Sequence, residues 1–385
     1  MERIYYREHI EENEKKVLRP YACLSMNTEG RKFKEEEHVF RTCFQRDRDR
    51  IIHCKAFRRL KGKTQVFLGN HGDHYRTRLT HTLEVAQISR GIARTLGLNE
   101  DLAEAIALAH DLGHTPYGHA GEAALNKIME EFNMEFEHNI QSQRIVENLE
   151  ISYPNFVGLN LSREVLEGLM KHVTPWDNHN NHSFDIIRPP LEAEIVNIAD
   201  EIAYQNHDVD DGLRSMFISD ESLQNLDIWK ESDLLFNKRY KFNPATKDIK
   251  INRKISIMIS LMIDDVIKET EKRLEKNNIN NFSDLKNYDK RLVSFSRDYS
   301  EKNKSLREFL FKEIYSNSKI IEEMDKGKKI IDNLFRYFYK NWEEFNKKNE
   351  FIVSNNEEKV IYIKDFIAGM SDDFAFHTAK KLELI

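Results

Sequence analysis

The chain has 385 residues, of which 40% are hydrophobic and 32% are charged, and this length is enough for one large or two small hydrophobic cores. Its opening residues are charged and lack the apolar segment of a signal peptide, and no apolar run reaches the length needed to cross a bilayer. We therefore expect a cytoplasmic protein without a membrane partner. The three cysteines are odd in number and not spaced as metal-finger ligands, which argues against disulfides and zinc fingers.

The net charge of −6 argues against a protein that coats nucleic acid nonspecifically. The charge is uneven, however, because the stretch from Arg41 to His81 holds eleven lysines and arginines against three aspartates. Such a basic surface on an acidic protein is typical of a site for a compact anion, for example a nucleoside triphosphate. A solvated helix face with internally paired charges is the alternative, and the sequence RDRDR favours it. Both interpretations stay open at this point.

Helical patterns dominate the chain and predict a mainly α-helical fold. The first long helix is predicted over THTLEVAQISRGIARTLGL, which ends at Gly97. The second is predicted over EDLAEAIALAHDL, with Asn99 as its N-cap and two acidic residues in its first turn, where they suit the helix dipole.

The third long helix is predicted to start after Pro189 and Pro190 and to end near Gly212. One short stretch, QVFLGNHGDH, predicts a small hairpin. Beyond about residue 220 the composition shifts toward Lys, Asn and Glu, and amphipathic stretches such as IIDNLFRYFYKNWEEF predict helices whose aromatic side chains face a core.

Histidines concentrate between His71 and His138, where seven of the fifteen lie. A single buried histidine is usually a satisfied core residue, whereas several that converge with aspartates predict a metal site. His81 lies early in the first predicted helix. His110 and Asp111 are adjacent near the end of the second, where helix geometry separates them by about 100° around the axis.

Asp200 lies in the third predicted helix among apolar residues, where an unpaired buried carboxylate would be very costly and needs a partner. Together the four residues offer two imidazoles and two carboxylates, which suit Mn, Fe, Co, Ni, Mg or Zn in an open octahedral geometry. Such a metal would lower the pKa of its bound water and polarise a phosphoryl group. Spacing alone also allows a coincidence, because the four positions are spread from residue 81 to residue 200.

Six stretches, in order along the chain, resemble the HD-domain deoxynucleoside triphosphate triphosphohydrolases, the dGTPase-like family. They are RTCFQRDRDRIIHCKAFRRLKGKTQVF, DHYRTRLTHTLEVAQISR, AIALAHDLGHTPYGHAGE, FEHNIQSQRIV, EAEIVNIADEIAYQNHDVDDGL and DFIAGMSDDFA. The resemblance runs from about Arg19 to the C-terminus and is weakest between residues 220 and 355. A histidine–aspartate dipeptide alone would mean almost nothing, but six long motifs in the right order are specific.

The resemblance implies a mainly α-helical HD-domain fold with a C-terminal helical extension. It divides the chain into a basic N-terminal segment over 1–60, which contributes to the nucleotide site and assembly, an HD phosphohydrolase core over 61–215 and a C-terminal helical region over 216–385. It also implies the reaction: metal-activated water attacks the α-phosphorus of dGTP, or of another dNTP, and releases deoxynucleoside and intact triphosphate. One divalent metal per active site is implied, with the ligands His81, His110, Asp111 and Asp200.

His119 matches the family's catalytic histidine, which would supply the proton that the leaving 5′-oxygen requires. Glu122 lies three residues further on and could fix the tautomer of His119. His114 has a weaker case and would contact phosphate. The glycines and proline of GHTPYG are expected to end the second helix and to turn both histidines back toward the metal. A histidine that only caps the turn is the alternative for His119.

Six further positions are expected to bind the substrate: Gln65, Arg78, His138, Lys171, Tyr204 and Asp208. Arg78 lies three residues before His81, so the two share a helix face if the first helix extends that far back, and the Arg78 guanidinium would bind two phosphate oxygens. Gln65 would contact the sugar near its 3′-hydroxyl.

Asp200, Tyr204 and Asp208 fall at i, i+4 and i+8, so a metal ligand, a tyrosine that stacks on the sugar and a 3′-hydroxyl acceptor would lie in one helical row. A tyrosine packed where a 2′-hydroxyl would project could reject ribonucleotides. His138 would meet phosphate or only pack between helices, and Lys171 would add phosphate charge or lie on the surface.

Two other functions are weighed against this one. The first is a phosphodiesterase or guanosine tetraphosphate hydrolase of the wider HD group, which the motifs around Gln65 and Tyr204 and the lack of an obvious second metal set disfavour. The second is a regulatory protein that binds a dNTP or single-stranded DNA with weak catalysis, which the presence of every expected ligand disfavours. The basic stretch could bind a dNTP activator or single-stranded DNA at a subunit interface, since relatives form homo-oligomers (tetramers or hexamers).

Overall fold

The computed structural model describes residues 4–65, 76–170, 188–241, 246–349 and 352–385. Within these ranges the regular structure is helical, and the β-type contacts are isolated bridges without an extended strand. The predicted mainly α-helical fold class is therefore confirmed. Lys171 and nearly all of the predicted hairpin at 65–74 lie outside the described residues.

The described part of the chain contains eighteen α-helices. In chain order they are α1 (Arg7–Val17), α2 (Cys43–His53), α3 (Lys55–Arg59), α4 (Arg78–Leu96), α5 (Glu100–Ala109), α6 (Gly118–Glu130), α7 (His138–Arg144), α8 (Arg163–Met170), α9 (Leu191–Arg214), α10 (Asp220–Leu223), α11 (Asp227–Arg239), α12 (Lys247–Lys276), α13 (Phe282–Lys286), α14 (Arg297–Leu310), α15 (Ser318–Lys340), α16 (Trp342–Asn349), α17 (Asn356–Ala368) and α18 (Asp372–Lys381). Two single π-helical turns, Ile145–Leu149 and Phe311–Tyr315, directly follow α7 and α14.

The three long helices predicted from periodicity correspond to α4, α5 and α9. Asn99 caps α5 as predicted, because its side-chain oxygen accepts hydrogen bonds from the backbone N–H groups of Asp101 (3.1 Å) and Leu102 (3.2 Å). One detail of the prediction is wrong. Helix α5 ends at Ala109, so His110 and the aspartate after it lie in the following turn, and the 100° helical spacing does not describe them.

The chain forms two compact units, and the first consists of Met1–Arg50, Leu83–Leu108 and Leu161–Asn317. In this unit α9 packs against α12 and α14, and α11 packs against α12. The buried side chains at its centre include Ile195, Ile202, Trp229, Met258 and Met262.

The second unit consists of Ile51–Thr82, Ala109–Asn160 and Ser318–Ile385. Its core forms around α15, which packs against α6, α17 and α18. Phe335 and Phe338 of α15 are buried together with Leu125 and Met129 of α6. The aromatic residues of IIDNLFRYFYKNWEEF therefore do line a core: three of them, Phe335, Phe338 and Phe345, are buried in it, and the other three pack against it while partly buried.

Both units are assembled from segments that are distant in the sequence. The predicted division at residues 60 and 215 stays a prediction about the order of regions along the chain. None of the described helices combines the length and the apolar character needed to cross a membrane.

Candidate functional site

The histidine–aspartate pair lies in the turn before α6, and this turn is fastened to α7 within the second unit. The Gly113 N–H donates to the Ser142 hydroxyl (2.8 Å), and that hydroxyl donates to the carbonyl oxygen of His110 (2.8 Å). A Cβ on Gly113 would lie 2.1 Å from the carbonyl oxygen of His138, closer than real Cβ contacts come. Glycine is therefore required here for the close approach of α7, a role that its prediction as a helix breaker did not include.

Three of the four predicted metal ligands, His81, His110 and Asp111, lie close together in the second unit. Each is almost fully buried. His110 Nε2 lies 3.4 Å from Asp111 Oδ1, His81 Nε2 lies 4.0 Å from Asp111 Oδ2, and the two imidazole centroids are 5.8 Å apart. Imidazole nitrogens and a carboxylate that converge in a buried space form a donor set that fits a divalent cation.

The electrostatics of the cluster keep Asp111 ionised. Burial opposes the charged form, but His110, Arg78 and His114 outweigh it and hold the pKa of Asp111 well below its usual range. Arg78 Nη1 donates to Asp111 Oδ2 (3.0 Å), and His114 Nε2 lies 3.0 Å from Asp111 Oδ1. Burial, reinforced by Arg78, lowers the pKa of His114 well below its usual value, so this imidazole is neutral.

Arg78 and Gln65 flank the same turn and offer polar atoms to a ligand. Arg78 is buried, and its Nε donates to no described residue. Gln65 is also buried, and its side-chain oxygen accepts no hydrogen bond from the part of the chain that the structure describes. Gly118 lies beside both, since a Cβ on it would be 3.4 Å from Arg78 Nη2 and from the Gln65 carbonyl oxygen.

The Glu122 carboxylate contacts two histidines, whereas the sequence predicted a contact with only one. Its Oε2 lies 3.5 Å from Nδ1 of His119, the predicted partner. Its Oε1 accepts the backbone N–H of His138 (2.8 Å) and lies 2.8 Å from Nδ1 of the same residue. Burial raises the pKa of Glu122, but His138 and His119 outweigh it and hold the pKa well below the usual range.

The histidines differ in exposure. The His119 side chain is 41% exposed, whereas those of His114 and His138 are each 4% exposed. The His114 and His138 rings stack with centroids 3.9 Å apart and planes at 15°. Ligand atoms of His114, Glu122 and His138 lie within 4.8 Å of one another, a spacing that a metal ion could bridge. This second set was not predicted from the sequence. The planes of the two stacked imidazoles are nearly parallel, however, and the lone pair of each nitrogen lies in the plane of its own ring. The lone pairs therefore do not converge, and both rings would have to turn to bind one ion.

In the first unit, α9 carries Asp200, Tyr204 and Asp208, and the first and last of these are buried. Tyr315, in the π turn after α14, donates a hydrogen bond to Asp208 Oδ2, and its hydroxyl also hydrogen-bonds the Tyr204 hydroxyl. The two tyrosine rings are parallel to within 3°, with centroids 6.5 Å apart. The sequence interpretation missed Tyr315 because it treated the aromatic residues of this region as core. A π turn, which often marks a functional site, has no simple sequence pattern.

Residues 41–50, the part of the basic stretch that lies in the first unit, include arginines that pair with acidic side chains. Arg48 Nη1 lies 3.1 Å from an Asp101 oxygen and 3.4 Å from a Glu104 oxygen, and Arg50 Nη2 lies 2.8 Å from Glu35. These pairs fit the alternative of a salt-bridged helix face for RDRDR.

Two protein-family models match the chain: the HD domain at residues 78–205 and the phosphohydrolase-associated domain at residues 293–381. A deoxyguanosinetriphosphate triphosphohydrolase-like protein of Geobacter metallireducens is 44% identical over 377 residues, which cover 96% of both chains. The protein of the same name in Geobacter sulfurreducens is 45% identical over 374 residues, again 96% of both chains. In Leptospira interrogans it is 43% identical over 381 residues, with 96% of this chain and 97% of the relative covered.

Proposed function

The chain belongs to the deoxyguanosinetriphosphate triphosphohydrolase-like family of HD-domain phosphohydrolases, and we propose from this premise that it hydrolyses dNTPs, dGTP among them, to deoxynucleoside and intact triphosphate. The observation that supports the proposal most strongly is the buried group of His81, His110 and Asp111 beside Arg78. A cation site next to a guanidinium suits a substrate with several phosphate charges.

We propose that His81, His110 and Asp111 hold one divalent metal together with Asp200, whose part rests on its position in the family motif. The donor set suits Mn, Mg, Fe, Co, Ni or Zn. A bound metal would lower the pKa of its water and polarise the phosphoryl group. The ionised state of Asp111, maintained by His110 and Arg78, provides the ligand charge that such binding needs.

His119 is proposed to protonate the leaving 5′-oxygen. Its exposure allows a substrate to reach it, and the contact of its Nδ1 with Glu122 leaves Nε2 to face the substrate. Glu122 also fixes His138, which stacks on His114, so one carboxylate orients two of the three histidines around the phosphates.

The sugar is proposed to bind at Gln65 and at the pair Tyr204 and Asp208, with Asp208 as the acceptor for the 3′-hydroxyl. The buried amide oxygen of Gln65, which accepts no hydrogen bond from described residues, supports this role because a buried polar atom needs a partner. Tyr204 is proposed to pack against the sugar and to exclude a 2′-hydroxyl.

Several further parts of the proposal rest on the family resemblance alone. Lys171 would add positive charge near the phosphates. The protein would act in the cytoplasm as a homo-oligomer, a tetramer or hexamer, with a dNTP activator or single-stranded DNA at a subunit interface. The pairing of Arg48 and Arg50 with acids leaves less positive charge for such a ligand than the sequence suggested.

A phosphodiesterase of the wider HD group is the second candidate. The set formed by His114, Glu122 and His138 favours it, since two-metal centres are common in phosphoryl-transfer enzymes. The triphosphohydrolase remains our proposal because of the stacked arrangement of these imidazoles and the close pairing of Glu122 with His138.

Product analysis tests the proposal. The purified protein is incubated with each dNTP, singly and in mixtures, with Mn²⁺, Mg²⁺ or Co²⁺, and the products are separated by ion-exchange chromatography. We expect deoxynucleoside and unbroken triphosphate, and loss of both with the isosteric variant Asp111→Asn. Acceleration in mixtures would support an activator site.

Pyrophosphate or free phosphate as the product would contradict the triphosphohydrolase proposal. Cleavage of a phosphodiester such as bis(p-nitrophenyl) phosphate, with two metals bound per chain, would favour the second candidate.

A further inference from the structure

One sequence motif has no part in the proposed chemistry: DFIAGMSD, which we call the 365–372 segment. It consists of the end of α17, the turn at Gly369, and Ser371, which caps α18 by accepting a hydrogen bond from the Phe374 N–H (3.3 Å). The segment and all the contacts described below lie within the second unit.

The first contact of the segment is with the helix that carries His138. Asp365 is nearly buried and accepts hydrogen bonds from Arg144 Nε (2.8 Å) and Gln141 Nε2 (3.0 Å), while Arg144 Nη2 lies 2.7 Å away. Both donors belong to α7, whose first residue is His138. A carboxylate held by a two-nitrogen guanidinium contact and an amide fixes the direction of that short helix.

The second contact is with the turn that contains His114. Lys63 is buried, and its Nζ donates to the carbonyl oxygens of Ala368 (2.9 Å) and His114. The neighbouring carbonyl of Gly369 accepts from Arg59 Nη1 (3.1 Å). The C-terminal end of α17, where Ala368 is buried, is thus joined to the backbone beside the proposed metal ligands through one buried lysine.

The third contact is made by Asp372. Its Oδ2 accepts the backbone N–H of Thr64 (2.9 Å), its Oδ1 accepts that of Tyr117 (2.9 Å), and its carbonyl oxygen accepts the Tyr117 hydroxyl (3.1 Å). Tyr117 has φ of 64°, a left-handed conformation that a non-glycine residue adopts only when its surroundings impose it. One carboxylate therefore holds the residue before Gln65 and the residue that leads into α6, two positions ahead of His119.

We propose that the 365–372 segment positions the catalytic side chains and that Asp372 is its principal positioning residue. Asp372 sets the distance between the backbone that presents Gln65 and the backbone that presents His119, without touching a proposed metal ligand. This inference rests on the proposed function, because it assigns the segment a role in the same reaction. It gives the phosphohydrolase-associated domain, which includes these residues, a direct part in the geometry of the site.

The variant Asp372→Asn tests the proposal, with Asp373→Asn as its matched control. An asparagine keeps the shape, but its amide nitrogen cannot accept, so one of the two N–H groups loses its partner. Asp373 is exposed in the same first turn of α18. We expect Asp372→Asn to lower kcat by at least about tenfold, with a smaller change in KM, because a small displacement of a catalytic group costs rate more than binding. The control variant Asp373→Asn should retain the kcat and KM of the wild type.

Hydrogen exchange gives a second readout that does not depend on activity. In Asp372→Asn, the peptides that contain Thr64 and Tyr117 should exchange faster, while the exchange rate of the α15 peptide around Phe335 stays unchanged. The affinity for Mn²⁺ should also stay unchanged. Faster exchange throughout the protein would reveal a general loss of stability and overturn the positioning role. Unchanged exchange together with unchanged kcat would also overturn it. If the wild-type protein released no triphosphate, the proposed function would fail, and the local exchange change would still decide whether Asp372 holds these two segments.

Discussion

At the scale of single residues, Tyr315 joins two side chains that the sequence assigned to the sugar. Burial, with the Asp208 carboxylate beside it, raises the pKa of Tyr315 well above its usual value, so the phenol keeps its proton. That proton is donated to Asp208, and the Tyr315 oxygen is then left to accept from the Tyr204 hydroxyl. The resulting chain of two hydrogen bonds fixes the orientation of Asp208.

The variant Tyr315→Phe keeps the ring and removes the hydroxyl. A hydrogen bond to a charged group contributes about 1.5–3 kcal/mol, so we expect KM for dGTP to rise about tenfold with a smaller change in kcat. The KM for 2′,3′-dideoxyguanosine triphosphate should not change, because that analogue has no 3′-hydroxyl for Asp208 to accept. Steady-state kinetics with both nucleotides measures this, and Tyr240→Phe, at a half-exposed position, is the control. Equal rises in KM for the two nucleotides would contradict the role of Asp208.

The same residues show how far sequence reasoning reaches. The pairing of His119 with Glu122 could be predicted because both lie within one helical turn. The closer contact of Glu122 with His138 could not, since it depends on where α7 packs. Tyr315 is 107 positions away from Asp208, and no local pattern connects them.

At the scale of secondary-structure elements, α4, α5 and α9 were predictable because periodicity, caps and prolines act over a few residues. The end of α5 and the packing of α7 were not, since they follow from the tertiary contact at Gly113. A methyl group there would also meet the Ser142 backbone nitrogen at 2.3 Å. Gly91 is a useful contrast, because a Cβ on this residue of α4 would meet no atom within 4 Å.

We expect opposite effects from the two glycine-to-alanine changes. Gly113→Ala should lower the free energy of unfolding by about 1–3 kcal/mol or more, because the added methyl overpacks the contact with α7. Gly91→Ala should raise it by up to about 1 kcal/mol, since alanine is the better helix former. Urea unfolding followed by circular dichroism measures both. Equal stability of Gly113→Ala and wild type would show that α7 can move away without cost.

At the scale of the whole molecule, a buried carboxylate makes folding depend on pH. Glu192 at the start of α9 is fully buried and accepts the backbone N–H groups of Cys23 (3.1 Å) and Asn99 (3.0 Å), so it joins three distant parts of the first unit. Burial raises the pKa of Glu192 from 4.5 to about 7. The folded protein therefore keeps a proton that the unfolded chain releases between these values.

Stability should accordingly fall as the pH rises from about 4.5 to about 7, by a contribution on the order of 3 kcal/mol from this residue. The variant Glu192→Gln cannot titrate and should show a flatter dependence over the same range. The gain in unfolding free energy of Glu192→Gln over wild type should be absent at pH 4 and largest above pH 7. Unfolding free energies measured across this range test it, with the exposed Glu130→Gln as control. Parallel curves for wild type and Glu192→Gln would contradict the shifted pKa.

The core of the second unit also limits how this protein can be divided or recombined. Leu125 and Met129 lie inside the matched HD domain, yet they are covered by side chains such as Phe335 and Ile363 from the other matched domain. A fragment that stopped at residue 205 would leave that apolar surface of α6 in water, at a cost of about 25 cal/mol for each Å². Helix α6 of the one matched domain and α15 and α17 of the other thus share a single core, and a gene fusion that exchanged one of these parts would have to carry the other with it.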